Sequence, residues 1–191
     1  MTLLQVMAES DAGEVRLRTD DAGRIGTELA KRDIVFDRWP TKPDLDVHRP
    51  PGQILVEYAD RVEALNTDGR YRYIDVAALQ PDDNDPGWLD TASAARSKFL
   101  AEHRHAEDEV RFFVAGRGCF YLHLEPEVLA VVCEGGDLLS VPAGTRHWFD
   151  MGARPDFVAI RFFEQEDGWI GDFTGDAIGE RFPTLDQLVA A

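Results

Sequence analysis

Short apolar runs, separated by glycine, proline and acidic residues, dominate the second half of the chain. Val110-Arg-Phe-Phe-Val114 ends at Gly116-Arg-Gly118; Cys119 to Leu124 follows, and Pro126 interrupts it. Val128 to Cys133 is apolar at every position, as a strand buried on both faces is. Glu134-Gly-Gly-Asp137 reads as a turn; Leu138 to Val141, His147 to Asp150 and Phe157 to Phe163 complete the series. Many short strands with frequent turns predict a mainly β protein, a sandwich or barrel of jelly-roll type.

The first half adds a few helices around that β-structure. Glu14 to Thr19 alternates as a short strand, and Thr19-Asp-Asp offers N-cap chemistry for a helix to about Lys31. Ala22, Ile25 and Leu29 form its apolar side, while Gly23 and Gly26 weaken it. Asp33 to Trp39 reads as a strand stopped by Pro40, with Trp39 packed in the core or over a sheet end. Thr41 to Pro51 is a proline-rich connector. Gln53 to Leu65 has helical spacing in Ile54, Tyr58, Val62 and Leu65. Arg70 to Ala77 is strand-like, although Asp75 to Leu79 also fits a helical turn. Trp88 to Leu100 reads as a helix with Leu89, Ala92, Ala95, Phe99 and Leu100 inward, and Thr184 to Val189 as a short closing helix. The polar loop between Gln80 and Gly87 is too short to divide the chain, so one domain over 1–191 is expected, with a metal-binding core at about 98–165.

The chemistry concentrates in two blocks, HRHAEDEVR from His103 to Arg111 and GDLLSVPAGTRH from Gly136 to His147. Side chains alternate along a strand, so His103 and His105 share a face. Glu109 shares it if the strand is unbroken, or returns to it after a turn. His147 is remote and must be brought back by a sheet or barrel. The chain has only 5 histidines, and three of them fall in this set. Three imidazoles and one carboxylate suit iron, nickel, manganese or zinc, and leave open positions on an octahedral ion. Arg111 follows Glu109 by two residues and should project to the same face, either to hold an enolate oxygen or to pair with an acid. Arg161 interrupts the apolar AIRFF and must point to solvent or a polar pocket. His123 alternates with Cys119 and Tyr121 and reads as structural.

These blocks resemble the two cupin motifs, HxHxxxExxxxxxG from His103 to Gly116 and GxxxxxPxGxxH from Gly136 to His147. Met151 stands where many cupins carry asparagine. More closely, EHRHAEDEVRFFVAGRG, DLLSVPAGTRHWFDMG, AIRFF and GWIGDFTG, with FDRWP and KFL upstream, resemble the acireductone dioxygenases of methionine salvage. The resemblance implies a cupin-type jelly-roll barrel with a few peripheral helices. It implies His103, His105, Glu109 and His147 as ligands of one Fe2+ or Ni2+ per monomer, and Arg111 and Arg161 as catalytic residues. Phe99, Phe149 and Trp169 would then surround the substrate, though each also suits a plain packing role. Glu102 and Asp108 would support the metal site, where solvated surface acids are the simpler reading. The implied substrates are O2 and 1,2-dihydroxy-5-(methylthio)pent-1-en-3-one. The implied products are 4-methylthio-2-oxobutanoate and formate with Fe2+, or 3-methylthiopropanoate, formate and CO with Ni2+. Another metal cupin acting on a different chelating substrate remains open, as does a non-enzymatic sensing module.

Charge narrows the partners. A net charge of −16 argues against nucleic-acid and anionic-membrane surfaces and leans towards a soluble monomer. No stretch is long enough to span a membrane, and the N-terminus has no signal-peptide pattern, so a cytoplasmic location is the default expectation. Cys119 and Cys133 lie in apolar runs and read as reduced core residues, with a disulfide not required.

Overall fold

A single long strand, β6 (Glu109–Leu124), joins the two halves of the architecture. In the computed structural model, which describes residues 1–190, its first half pairs with β8 (Asp137–Val141) and β10 (Asp156–Phe163). Its second half pairs with β7 (Glu127–Glu134) and β9 (Arg146–Asp150). The first sheet widens through β3 (Val35–Arg38) on β8 and β4 (Tyr73–Leu79) on β10. The second widens through β1 (Leu3–Ala8) and β2 (Asp11–Thr19) beyond β7, and through β5 (His103–Arg104) and β11 (Asp172–Phe173) beyond β9. Every pairing is antiparallel. The result is the expected jelly-roll barrel.

The sequence predicts two strands where β6 is one. The strand survives Gly116 to Gly118 because these glycines let it bend rather than stop. Gly116 adopts φ +69°, and a Cβ there would sit 1.9 Å from the Asp156 carbonyl oxygen. A Cβ on Gly118 would lie 2.3 Å from Phe149 Cζ. The bend carries β6 from one sheet into the other, and the inward face passes from Phe113 to Phe120 and Leu122.

Three apolar layers follow. Phe113, Phe120, Leu129, Val131, Phe149 and Phe157 fill the barrel interior. Burying one such side chain contributes about 1.5–3 kcal/mol. Val110, Phe112 and Phe162 face outward and are covered by Trp39, Ile54 and Tyr58. Cys119, Tyr121 and Trp148 face outward on the other side, beneath Ile178, Leu185 and Leu188. Both cysteines are free and buried, and burial pushes their thiols well above the ordinary value.

The helices are peripheral. In α1 (Ala22–Ala30) the Asp21 carboxylate accepts from Arg24 N at 2.7 Å, and Ile25 and Leu29 are buried as read. The helix expected over Gln53 to Leu65 is two, α2 (Pro51–Glu57) and α3 (Ala59–Leu65). They break at Tyr58, which turns its ring onto Phe112 at 5.0 Å, so packing outweighs helical continuity there. In α4 (Trp88–Leu100) Ala92 is buried and Phe99 and Leu100 pack against the core as read, but Leu89 is exposed and Trp88 is buried in its stead. The N-terminal run LLQVMA, unassigned by the pattern, is the fully buried β1. The closing helix α5 spans Leu185–Ala190. No described helix is long and apolar enough to cross a membrane.

Candidate metal centre

His103 on β5 stands directly opposite His147 on β9, and their ring centres are 4.5 Å apart. His105 lies two residues on, with its ring 5.1 Å from His103 and 5.2 Å from His147. The chain then turns through Ala106 to Asp108, so Glu109 reaches the set by the turn rather than along an unbroken strand. Ligand-capable nitrogens of the three histidines lie within 4.8 Å of one another. The Glu109 Oε2 atom is 3.2 Å from His105 Nε2. All four side chains are buried.

Each imidazole is oriented by the backbone. The Nδ1 atoms of His103, His105 and His147 lie 2.8, 3.0 and 2.8 Å from the carbonyl oxygens of Ala101, Ile170 and Thr145. A carbonyl only accepts, so Nδ1 carries the proton and Nε2 keeps its lone pair. Burial lowers the His103 and His147 pKa values, the latter to about 4, so these rings are neutral at physiological pH. Burial alone would raise the Glu109 carboxyl; the Arg111 guanidinium, then the imidazoles, outweigh it and hold the group at about 2. Arg111 is the largest of these favourable charges. Three imidazoles and one carboxylate are a donor set that suits a divalent first-row ion. Glu109 Oε1 is ion-paired with Arg111 Nε, and Oε2 is the oxygen turned to His105, where it can join the imidazoles on a cation.

The other predicted residues divide. Arg111 is buried in charge contact with Glu109, its guanidinium carbon 5.2 and 5.1 Å from the Phe120 and Phe149 ring centres. Phe149 is therefore core and the floor under Arg111 at once. Arg161 sits opposite Arg111 on β10 and forms a two-pronged pair with Asp75 on β4, at 2.8 and 2.6 Å. Phe99 packs against the interior cluster. Trp169 is 47% exposed, with Lys98 Nζ 5.5 Å from its ring. Glu102 points away from the three histidines, to His123 and Thr174. Asp108 accepts from Ala143 N at 2.9 Å and from Arg70 at 2.8 Å, anchoring the turn between β8 and β9.

Two contributions escape the sequence reading. The segment 168–174 lies beyond the expected core of 98–165, yet it crosses the centre. Ile170 supplies the carbonyl for His105, Phe173 pairs with His103, and a Cβ on Gly171 would lie 2.9 Å from His103 Cδ2. Glu107, one of three acids in AEDE, is turned inward. It accepts from Glu164 N and Gln165 N and lies where a Cβ on Gly168 would be. Neighbouring acids look alike in sequence, so only the glycines of GWIG hinted at this close packing.

An antiparallel barrel with three backbone-oriented histidines and a glutamate at one end defines a cupin-type metalloprotein. More narrowly, the chain belongs to the ARD/ARD′ family, whose model matches residues 4–171. It is 68% identical over 191 residues to acireductone dioxygenase 2 of Nocardia farcinica, covering 100% of both chains. It is 56% identical to acireductone dioxygenase 1 of the same organism, over 99% of this chain and 100% of that one. Among solved structures it is similar to acireductone dioxygenase from Bacillus anthracis with cadmium ion in the active center. That likeness has TM-score 0.74 and 25% identity, covering 91% of this chain and 98% of the other.

Proposed function

We propose that this protein is a metal-dependent acireductone dioxygenase of methionine salvage, cleaving 1,2-dihydroxy-5-(methylthio)pent-1-en-3-one with O2. One observation carries the reading: three imidazoles, each held at Nδ1 by a backbone carbonyl, present their Nε2 atoms beside the buried carboxylate of Glu109. Full-length relatives named for this activity support the substrate. His103, His105, Glu109 and His147 would hold one Fe2+ or Ni2+ per chain, since imidazole and carboxylate suit both. A bound divalent ion supplies positive charge and open positions for a deprotonated oxygen chelate.

The chain's own residues bind and orient that chelate. Arg111, buried and fixed over Phe120 and Phe149, offers a guanidinium that favours the enediolate over the enediol. Arg161 adds a second positive charge, and Asp75 holds its fork in place. Phe99 and Phe149 give an apolar wall for the thioether and exclude water. Trp169 stands at the rim, on the segment that crosses His105. Glu102 and Asp108 act as positioning residues, through Thr174 and the Ala143 turn. The unit is one domain, and it works in the cytoplasm as a monomer.

Anaerobic reconstitution with Fe(II) or Ni(II), followed by acireductone and oxygen, tests the reading. The expected result is oxygen uptake with formate and keto acid from the iron form, and carbon monoxide from the nickel form alone. Tight metal binding without oxygen uptake would discard the substrate and favour another oxygen-chelating one.

A further inference from the structure

A second cluster of ligand-type groups stands behind the first, on the outer face of the barrel wall. His123 lies at the end of β6 on the face of Cys119 and Tyr121, and its side chain is 1% exposed. Its Nδ1 is 2.5 Å from Glu102 Oε1, and Glu102 is itself buried and takes a hydrogen bond from Thr174 Oγ1 at 2.6 Å. The other nitrogen, Nε2, has no hydrogen-bond partner. Glu9 Oε1 is 3.3 Å away but off the hydrogen-bonding direction. Glu125 completes the group, and one ligand atom from each of Glu9, His123 and Glu125 falls within a 4.8 Å span. The turn between β1 and β2 carries Glu9, and the turn between β6 and β7 carries Glu125. A hydrogen bond from Glu9 N to the Pro126 carbonyl, 3.1 Å, holds the two turns together.

A buried nitrogen without a partner is costly, so an idle Nε2 needs an explanation. Two are chemically available. A second proton on the ring would place an N–H where no acceptor lies in line. A cation would take the lone pair, and the Glu102–His123 bond is the carboxylate–imidazole arrangement that orients a ligating histidine. Charge favours the cation. Glu9, Glu102 and Glu125 surround the ring, and Arg146, paired with Glu125 at 2.5 Å, is the positive group among them. With a neutral ring the cluster keeps an excess of negative charge that a divalent ion would cancel.

We propose a second divalent-cation site formed by His123 Nε2 and the carboxylates of Glu9 and Glu125, with Glu102 as its orienting group. One nitrogen and two oxygens with room for water suit a borderline first-row ion, for which Zn2+ is the probe. The ion would clamp the two turns. Through Glu102 and Thr174 it would also brace β11, whose Phe173 pairs with His103. The site does not depend on which reaction the first centre performs.

Equilibrium dialysis of the full chain against Zn2+, with metal analysis, tests it. Wild type should hold two equivalents, and the double variant Glu9→Gln/Glu125→Gln should hold one. The double variant His105→Ala/His147→Ala should also hold one, lost when Glu9 and Glu125 are changed in addition. Both glutamates lie in turns and only His123 is deeply buried, so the glutamine variants keep the fold. On the unaltered chain, cadmium NMR should show two resonances, of which the Glu9→Gln/Glu125→Gln protein loses one. A single equivalent and a single resonance in wild type would overturn the site, as would two equivalents surviving in Glu9→Gln/Glu125→Gln.

Discussion

Arg111 on β6 and Arg161 on β10 stand directly opposite one another, two like charges in one cross-strand row. Like charges at such a pair are destabilising. The structure answers each with an acid: Glu109 against Arg111, and Asp75, facing Arg161 from β4. A metal ion would draw on the same Glu109 carboxylate. Arg111 would then be left free to face an anionic ligand.

Arg111→Ala should keep its metal and lose turnover. Removing a fixed positive donor beside a developing enediolate costs about 100-fold or more in kcat/KM. Oxygen uptake with parallel metal analysis reads this. Equal loss of metal would show instead that Glu109 holds the ion only with Arg111 beside it.

Asp75→Asn releases the Arg161 fork. The Asp75 side chain is half-exposed, so its ion pair contributes little, about 0.2–1 kcal/mol, and thermal stability should barely move. The KM for the substrate should rise while kcat holds. An unchanged KM would mean that Arg161 does not reach the substrate.

Gly171→Ala places a methyl 2.9 Å from the His103 ring and displaces the segment that carries the Ile170 carbonyl. Loss of this support should weaken metal binding by about 10-fold, read by chelator competition. Gly52→Ala is the control, since its Cβ would meet nothing within 4 Å. Equal affinities in the two variants would remove the segment 168–174 from the centre.

Asp150 ties three elements together. It pairs with Arg96 of α4 at 2.7 Å and accepts from Gly152 N and from Leu185 N, the first residue of α5, both at 2.9 Å. Burial alone would raise its carboxyl, but Arg96 and the two N–H groups outweigh it and hold the pKa below the ordinary value. The unfolded chain therefore takes up this proton first as pH falls. The contribution to stability is complete above about pH 4 and is lost on further acidification. Asp150→Ala should cost about 3 kcal/mol at neutral pH, measured by urea unfolding. Its stability should also depend less steeply on pH in the acid range; an unchanged slope would exclude Asp150 as the titrating group.

What the sequence determined is local and periodic. Strand alternation put His103 and His105 on one face, and apolar runs bounded by turn residues marked β7, β8, β9 and β10. The resemblance of the two histidine blocks named four residues, His103, His105, Glu109 and His147, that the barrel places near one another. Tertiary structure decided what depends on distant partners. LLQVMA has no strand signal beyond its apolarity, and becomes β1 because β7 offers it an edge. Gly116 to Gly118 looks like a stop, and becomes a bend because β10 and Phe149 close in upon it. Trp88 displaced Leu89 as the buried residue of α4, since the face a short helix buries is chosen by what it packs against. Glu102, Glu107, Asp108 and Glu109 are near-identical carboxylates in one stretch of chain. Only the fold gives them four different sets of partners: His123, the backbone of residues 164–165, the Ala143 turn, and His105 with Arg111. A carboxylate's role is set by the charges and donors around it, and those arrive from other strands.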